Sequence, residues 1–241
     1  MIVRQLVDSI FLILISIGNT GGDFMILEKM DEFFDNRLEG YEDHQLNGID
    51  SAKIFYPYTA SQLPMTEGCN VLDLGCGTGL ELNEYFKLNP LAVITGIDLA
   101  NGMLRTLKAK FPDKQLTLIN GSYFEVPFGE NVYDAAVSVE SLHHFTLEQK
   151  ILLYKKLHDS LKEGGYFILT DYMAENDEEE KKNFLELSRL KKELGICDGE
   201  FYHYDTPLTR THETEALCAG GFSKVEVLNK WQSTNILKAY K

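Results

Sequence analysis

A glycine-rich loop is the part of the sequence with the clearest potential for chemistry. Its residues run Val-Leu-Asp-Leu-Gly-Cys-Gly-Thr-Gly over 71–79, between a predicted strand and a predicted helix. Glycine lets the backbone turn tightly and approach a ligand closely, and the free amides that open a helix favour polar or anionic groups. Asp73 precedes the first glycine by two residues, and a carboxylate there suits a ligand that carries positive charge. The loop therefore predicts a ligand site.

Further polar residues follow the next two predicted strands. Asp98 ends the second strand, 19 residues after Gly79, and a carboxylate in that place can accept both hydroxyls of a ribose. Ser122 and Tyr123 follow the third strand. Ligands bind at the carboxyl ends of strands in open parallel sheets, so we expect these residues along one edge. Asp134 instead opens the fourth strand, which favours a structural role.

Short apolar runs alternate with segments of helical period, which is typical of βαβ units and a parallel sheet. We predict strands at 71–74, 93–97, 116–119, 133–139 and 166–170. We predict helices at 80–88, 102–111, 147–161, 178–194 and 211–219, with Gly164-Gly165 following the third of them. The last two strands, 224–228 and 236–240, are close enough in sequence to pair antiparallel.

These elements divide one large domain, 24–241, into four parts. Residues 24–66 form a helical, aromatic cap, and 67–174 form the core with the ligand loop. Residues 175–208 form a helical insertion, whose acidic start (175–182) suits a helix N-terminus. Residues 209–241 add a helix and the final hairpin.

An apolar run, Ile-Phe-Leu-Ile-Leu-Ile-Ser-Ile at 10–17, lies within an N-terminal extension, 1–23. It is far short of the roughly 20 residues that span a bilayer. A signal peptide needs a more basic start and a small-residue cleavage site, and a single Arg4 precedes the run. We expect an extension that is either disordered or not native, or a helix docked on the domain. Met25 and Met30 are alternative start positions.

The composition narrows the class of partner. The 241 residues carry 23 Lys and Arg against 37 Asp and Glu, a formal net charge of −14. Such a surface repels phosphate backbones and anionic lipid, so we expect neither nucleic acid nor a membrane as partner. The four cysteines form no C-x-x-C pair and have no histidine at ligand spacing, which predicts no metal site and reduced thiols in the cytoplasm.

Five segments in order resemble the class I S-adenosylmethionine-dependent methyltransferases, in particular their small-molecule branch with an N-terminal helical cap. The segments are VLDLGCGTG, ITGIDLA, NGSYFEVPF, YDAAVSVESLHHF and LKEGGYFILTDY. The resemblance covers about residues 30–241. It implies an α/β, Rossmann-like, doubly wound sheet of seven mostly parallel strands with an antiparallel last strand, plus a helical cap and insertion.

The resemblance also assigns residues to S-adenosylmethionine, whose demethylated product is S-adenosylhomocysteine. The glycines would pack against the methionine and ribose portions, Asp73 would orient the amino acid moiety, Asp98 would hold the ribose hydroxyls, and Leu99 and Met103 would lie against adenosine. Ser122 and Tyr123 would meet the adenine, with the Ser122 hydroxyl in a place where the family often has an acid. The implied cofactor-binding set is Asp73, Gly75, Cys76, Gly77, Thr78, Gly79, Asp98, Leu99, Met103, Ser122, Tyr123 and Glu140.

Methyl transfer from a sulfonium is a direct displacement, so a general base matters only when the acceptor must lose a proton. Candidates are Glu140, His143 and His144 after the fourth strand. The two histidines are adjacent, so we expect only one to face the site, and packing roles for both stay open. His203 is a further candidate from the insertion.

Aromatic residues of the cap and insertion suggest a pocket for a small, partly apolar acceptor. The predicted substrate pocket consists of Tyr41, Tyr56, Tyr202, His203 and Tyr204. The alternative is that these side chains dock the cap onto the core. Whether the chain works alone or as a homodimer stays open, as does the acceptor atom.

Two other functions stay open. An NAD(P)-dependent oxidoreductase would use the same fold and ribose carboxylate, but the chain has no Y-x-x-x-K pair and its glycines lack the G-x-G-x-x-G spacing. A non-catalytic S-adenosylmethionine-binding module would keep Asp73 and Asp98 without transferring a methyl group.

Overall fold

The computed structural model describes residues 27–196 and 200–241. The strands are β1 (Asn70–Leu74), β2 (Val93–Asp98), β3 (Gln115–Asn120), β4 (Tyr133–Val139), β5 (Leu161–Tyr172), β6 (Lys224–Trp231) and β7 (Thr234–Tyr240). The helices are α1 (Met30–Asp35), α2 (Tyr41–Asp43), α3 (Ala52–Ser61), α4 (Leu80–Leu88), α5 (Asn101–Lys110), α6 (Leu147–Ser160), α7 (Asp177–Leu194) and α8 (Arg210–Ala219), and a π-helical turn, His44–Gly48, continues α2.

The strands form one seven-stranded sheet in the order β3-β2-β1-β4-β5-β7-β6. Neighbours from β3 to β5 pair parallel, whereas β7 pairs antiparallel with both β5 and β6. The strand order reverses between β1 and β4, and a crevice opens at such a point above the carboxyl ends. The predicted doubly wound, mostly parallel sheet with an antiparallel last strand is confirmed.

Both faces of the central strands are covered, because successive side chains point to opposite sides of a sheet. Leu72 and Leu74 pack in one apolar cluster with Tyr154 of α6 and Leu217 of α8. Val71 packs in the other, which also contains residues of α3, α4 and α5. Asp73 shares the face of Val71, so its side chain is directed to the layer that contains α4.

The boundary between α6 and β5 differs from the prediction. The helix ends at Ser160, and β5 begins at once with Leu161. Gly164 and Gly165, predicted to follow the end of the helix, lie inside β5, where the pairing with β4 shifts in register. Gly164 has φ 75°, so a glycine pair here bends a strand, which local sequence does not distinguish from the end of a helix.

The cap and the insertion are joined through their backbones. Met30 N–H donates to the carbonyl of Phe201 at 3.0 Å, and His203 N–H donates to the carbonyl of Glu28 at 3.0 Å. The His203 ring stacks on Phe33 with centroids 3.6 Å apart. These two segments, distant in sequence, therefore pack as one cover above the sheet edge.

Asp134, at the start of β4, has the structural role predicted for it. It accepts hydrogen bonds from Asn70 N–H at 2.8 Å and from Lys162 Nζ at 2.7 Å. The apolar run at 10–17 and Cys197 lie outside the described residues, while Cys69, Cys76 and Cys218 are free thiols. Within 27–196 and 200–241, no helix has the length and apolar character needed to cross a membrane.

Candidate active site

A cleft of roughly 500 Å³, open to solvent, lies at the carboxyl ends of β1, β2 and β4. Nine of the predicted site residues border it: Tyr41, Gly75, Gly77, Asp98, Leu99, Met103, Tyr123, Glu140 and His144. The cap adds Met30 and Phe34, and the β4 edge adds Val139 and Ser141.

The glycine loop is shaped by close approaches of backbone to neighbouring chain. Gly75 has φ 71°, and a Cβ there would collide with the Ser141 hydroxyl. Gly77 has φ 47° and lies on the cleft with Tyr41 nearby. A Cβ at Gly79 would instead collide with Leu107 of α5. Two glycines therefore open the cleft, while the third lets α4 and α5 pack closely.

Asp98 is held by the loops on either side of it. Its Oδ2 accepts a hydrogen bond from Gly77 N–H and its Oδ1 one from Ala100 N–H, both at 2.8 Å. Burial raises the pKa of Asp98 to about 6, against the lowering effect of these two backbone bonds. A carboxylate has about four lone-pair sites, so Asp98 keeps acceptor capacity for hydroxyl donors in the cleft.

Asp73 lies below the loop and contacts Glu81, a residue that the sequence reasoning missed. Both side chains are buried, and Asp73 Oδ2 and Glu81 Oε1 have no hydrogen-bond partner in the part of the chain that the structure describes. Burial raises the pKa of both groups, and for Asp73 the neighbouring Glu81 and Asp98 raise it further. An acidic residue in the first turn of a helix is common for structural reasons, so the position of Glu81 in the sequence does not indicate a binding role.

Besides Asp73, four further predicted cofactor residues lie beside the cleft and not on it. Cys76 is buried against Gly96 of β2. The Ser122 hydroxyl accepts from Phe124 N–H at 3.2 Å, so it stabilises its own turn. Thr78 is buried within the loop, and Gly79 lies against Leu107 of α5. Tyr123 does border the cleft, and its hydroxyl donates to the Ser141 carbonyl at 3.3 Å.

A histidine cluster lies at the opposite side of the cleft. His143 Nδ1 donates to Asp171 Oδ1 at 2.6 Å, and its Nε2 lies 3.5 Å from Asp205 Oδ1. His144 Nδ1 lies 3.4 Å from the same Asp205 oxygen and donates to the carbonyl of Tyr204 at 3.1 Å. Of the two histidines, His144 borders the cleft and His143 does not, while both rings lie against Asp205 from the insertion.

The two histidines have opposite charge preferences. Burial opposes the charge of His143, but Asp171 and Asp205 outweigh it and raise its pKa to about 10. Burial lowers the pKa of His144 well below its usual value, and the neighbouring His143 and His203 lower it further. At neutral pH His143 is therefore an imidazolium held by two carboxylates. His144 is neutral, and because a carbonyl only accepts, its Nδ1 carries the hydrogen and its Nε2 the lone pair.

Glu140 adopts a backbone conformation that is uncommon for a residue with a side chain. It has φ 50° and accepts a hydrogen bond from Thr234 Oγ1 at 2.9 Å. Such conformations cost energy and concentrate at functional sites. Glu140 borders the cleft next to Ser141, so the strand end that carries it is turned toward the ligand space.

Most of the predicted aromatic wall lies away from the cleft. Tyr41 borders it, whereas the Tyr56 hydroxyl donates to Gln45 within the cap at 3.4 Å. The Tyr202 hydroxyl donates to the exposed Glu200 at 2.7 Å. Tyr204 is half-buried and contributes its carbonyl to His144. Tyr56 packs in the apolar cluster under the cap, and Tyr202 pairs through a single β-bridge with Lys29 of the cap.

The cluster contains groups that ligate metals, although the sequence predicts no metal site. One ligating atom from each of His143, His144 and Asp205 lies within 4.8 Å of the others, and the same holds for Glu140, His143 and Asp171. The hydrogen bonds given above account for His143 and His144 in these arrangements. Asp171 directly follows the predicted strand 166–170, so strand-edge reasoning could have found it. Asp205 lies in a segment without regular secondary structure, and no sequence feature marks it as a site residue.

A family profile and several curated proteins match parts or most of the chain. The family profile described as "Methyltransferase domain" matches residues 72–169. A carboxy-S-adenosyl-L-methionine synthase from Nautilia profundicola is 23% identical over 234 residues, which cover 91% of this chain and 93% of that protein. A sterol 24-C-methyltransferase from Gibberella zeae is 28% identical over 175 residues, 68% of this chain. The match spans only 42% of the sterol enzyme's length.

Solved structures share the fold. A candidate O-methyltransferase from Nostoc punctiforme superposes with a TM-score of 0.65 and 21% identity, covering 99% of this chain and 69% of that one. The matched profile spans β1 to β5 and contains the glycine loop, Asp98 and both histidines. Residues 72–169 therefore match a methyltransferase domain, and the strand order and the cleft geometry agree with the class I S-adenosylmethionine-dependent methyltransferases.

Proposed function

We propose that the protein transfers the methyl group of S-adenosylmethionine by direct displacement to a small-molecule acceptor. The observation that carries the proposal is a single cleft with two unlike sides. The glycine loop and Asp98 border one side, and Glu140 and His144 border the other. Such an arrangement suits a reaction in which a donor and an acceptor are held in line, where positioning can supply roughly 7–11 kcal/mol.

The residues of the first side fit the cofactor. Asp98 retains lone pairs for ribose hydroxyls, and Leu99, Met103 and Tyr123 offer apolar surface for a flat base. Buried carboxyl oxygens of Asp73 and Glu81 without hydrogen-bond partners in the described chain fit a cationic amino acid portion. When bound, S-adenosylmethionine supplies an electrophilic methyl group on a sulfonium.

The cover formed by the cap and the insertion supports a small acceptor. Met30, Phe34 and Tyr41 of the cap border the cleft, and this partial cover suits a compact molecule beside the cofactor. The formal charge of −14 opposes binding of a nucleic acid backbone. Apolar contacts from the cap suit an acceptor that is partly apolar.

We further propose that His144 accepts the acceptor's proton where the acceptor is a hydroxyl or an ammonium group. His144 borders the cleft, is neutral and carries its lone pair on Nε2. His143 is a positioning residue, because as an imidazolium between Asp171 and Asp205 it has no lone pair to offer. Asp205 lies against both rings and offsets the charge that His144 gains.

Calorimetric titration with S-adenosylhomocysteine tests the cofactor site. We expect the wild type to bind, Asp98→Ala to bind about 100-fold more weakly through the loss of charge-assisted hydrogen bonds, and NAD to give no signal. Asp113→Ala, which changes an exposed carboxylate outside the cleft, is the matched control and should bind as the wild type does. No binding by folded wild-type protein, or binding of NAD instead, contradicts the proposal.

Methyl transfer itself is tested by incubating the protein with isotope-labelled S-adenosylmethionine and a panel of small hydroxyl, amine and carbon acceptors. We expect label in a small acceptor and S-adenosylhomocysteine as co-product. A labelled nucleoside of altered mass would instead indicate that the cofactor itself is modified, as the name of the Nautilia relative suggests for that protein. Binding without turnover on any acceptor would favour a non-catalytic module.

A further inference from the structure

One carboxylate oxygen of the histidine cluster lies at nearly equal distances from two ring nitrogens. Asp205 Oδ1 is 3.5 Å from His143 Nε2 and 3.4 Å from His144 Nδ1. One ligating atom of each of the three residues lies within 4.8 Å of the others. A hydrogen bond between nitrogen and oxygen usually spans about 2.7–3.2 Å. Asp205 therefore contacts both rings by charge, without a short hydrogen bond to either.

These separations match those of two ligand atoms on a tetrahedral metal ion. Zinc binds imidazole nitrogen at about 2.0–2.1 Å and carboxylate oxygen at about 2.0–2.2 Å. At the tetrahedral angle, such ligand atoms are about 3.3–3.5 Å apart. An octahedral arrangement with the same bond lengths brings them to about 2.8–3.0 Å. The distances at Asp205 therefore favour a four-coordinate ion over a six-coordinate one.

Asp171 supplies the support that a metal-binding histidine needs. Its Oδ1 accepts from His143 Nδ1 at 2.6 Å, and its side chain also accepts from the backbone amides of Leu142 and Tyr172, both at 2.9 Å. Asp171 is 1% exposed, so its position is fixed. A histidine that binds a metal almost always donates its other ring hydrogen to a carboxylate, a carbonyl or water. This bond leaves Nε2 of His143 as the nitrogen that faces Asp205 and can bind a metal.

The surroundings favour a cation and give it a path to the cluster. Glu140 and Asp171 lie within 4.8 Å of a ligating atom of His143, so two further acids flank the three residues. The side chains of His143 and His144 are 9% and 3% exposed, whereas that of Asp205 is 29% exposed. An ion can therefore enter beside the carboxylate and then contact two buried rings. Imidazole ligands suit zinc and the other late first-row divalent ions.

We propose that His143 Nε2, His144 Nδ1 and Asp205 Oδ1 form a binding site for a divalent transition-metal ion of tetrahedral preference, with Zn²⁺ as the best match. The three side chains supply three ligands and leave a fourth position for water. The ligands come from the segment after β4 and from the insertion. Because these segments are far apart in the sequence, ligand spacing does not reveal the site.

Binding replaces hydrogens on both rings. The metal takes the place of the hydrogen on Nε2 of the His143 imidazolium, and that proton passes to water. His144 loses the hydrogen on Nδ1, which in the metal-free protein is donated to the Tyr204 carbonyl, and takes up one on Nε2. Two metal–nitrogen bonds and one metal–oxygen bond form. The bonds between heavy atoms of the protein stay as they are, and one proton is released for each ion.

A bound metal opposes the proton transfer proposed for His144, a consequence that rests on the proposed function. With the metal on Nδ1 and a hydrogen on Nε2, the ring has no lone pair for the acceptor's proton. The glycine loop and Asp98 border the other side of the cleft, so cofactor affinity should not depend on the metal. We expect Zn²⁺ to inhibit methyl transfer to hydroxyl and ammonium acceptors and to leave the affinity for S-adenosylhomocysteine unchanged.

The site itself is tested by calorimetric titration of chelator-treated, full-length protein with Zn²⁺. We expect one tightly bound ion per chain in the wild type. Asp205→Asn removes a charged ligand and should weaken binding by more than about 100-fold, beyond the range of a lost supporting partner. Asp171→Asn keeps the three ligands and removes the support of His143, so its affinity should fall about 10- to 100-fold. Asp159→Asn is the matched control, an exposed carboxylate beside the single histidine His158, and should bind Zn²⁺ as the wild type does.

Titration of the wild type with Co²⁺ reports the geometry without any substitution. Four-coordinate Co²⁺ absorbs visible light strongly, whereas six-coordinate Co²⁺ absorbs weakly, and thiolate ligands add a near-ultraviolet band. We expect strong visible absorption that Zn²⁺ abolishes, without the thiolate band that binding at the exposed Cys218 would give. Should Asp205→Asn fail to fold by circular dichroism, His144→Gln removes a different ligand and should abolish tight binding in the same way.

The outcomes separate this inference from the proposed function. Unchanged Zn²⁺ affinity in folded Asp205→Asn, or a weak Co²⁺ spectrum, would overturn the metal site and leave methyl transfer standing. Binding as expected, with turnover on hydroxyl and amine acceptors unchanged or raised, would overturn the inhibition. Absence of S-adenosylhomocysteine binding would overturn the proposed function alone, since the metal titrations require no cofactor.

Discussion

The two sides of the cleft are built in different ways. The side with the glycine loop comes from two consecutive βαβ units, and its residues, Gly75, Gly77 and Asp98, lie close together in sequence. The side with the histidines combines the end of β4, the end of β5 and the insertion, where Asp205 meets His143 and His144. The first side depends on backbone geometry and the second on side chains from distant segments, so substitutions should act differently on the two.

The largest expected effect is on the backbone-built side. Gly75→Ala places a Cβ against the Ser141 hydroxyl at φ 71°. We expect a loss of about 2–4 kcal/mol in the free energy of unfolding from the positive φ and the overpacking together, with cofactor affinity reduced as well. Chemical denaturation measures the first and calorimetry the second.

Gly164→Ala is the matched control for that substitution. Gly164 has φ 75°, and a Cβ there meets nothing within 4 Å. It should lose only the conformational part, about 1–2 kcal/mol, and keep full cofactor affinity. An equal loss of unfolding free energy in the two variants would show that the close approach to Ser141 does not contribute to the cost of Gly75→Ala.

On the histidine side, Asp171→Asn should separate turnover from cofactor binding. Asp171 holds His143 Nδ1 at 2.6 Å and accepts from Leu142 N–H at 2.9 Å. An amide can keep one of these bonds but removes the charge that stabilises the imidazolium. We expect kcat to fall about 100-fold, the lower end of what a positioned acid or base contributes, with affinity for S-adenosylhomocysteine unchanged.

Asp159→Asn is the control, because it alters an exposed carboxylate that also contacts a histidine, His158, at 3.1 Å. It should leave kcat unchanged. A parallel loss of cofactor affinity in Asp171→Asn would contradict the separation of the two sides.

The same ion pair predicts a pH dependence of stability. The pKa of His143 is raised to about 10 in the folded protein, against about 6.5 in an unfolded chain. Its contribution to stability is therefore complete below about pH 6.5 and is lost as the pH rises through about 10. The difference in Tm between the wild type and Asp171→Asn should be largest near pH 6 and shrink toward pH 10. A difference that stays constant over this range would mean that His143 is not charged.

Sequence reasoning was more successful on the backbone-built side for a physical reason. Glycine spacing and strand ends are local features, and parallel strands bring their carboxyl ends to one edge, so the positions of Gly77 and Asp98 could be predicted. Asp205 lies in irregular chain, and its position depends on how the insertion pairs with the cap. Glu81 was missed because an acid in the first turn of a helix is ordinary. The position of Gly164 inside β5 was missed because a glycine pair also ends helices.

The smallest expected effect concerns an aromatic residue of the insertion. Tyr202, predicted from sequence to line the acceptor pocket, donates its hydroxyl to the exposed Glu200. Tyr202→Phe removes only a surface hydrogen bond, so kcat/KM for the acceptor should change by no more than about twofold. Tyr41→Phe is the comparison, since Tyr41 borders the cleft beside Gly77 and its change should raise KM for the acceptor or the cofactor. Steady-state kinetics on both variants measures the contrast. A larger change in kcat/KM for Tyr202→Phe than for Tyr41→Phe would indicate that the acceptor binds at the outer surface of the insertion and not in the cleft.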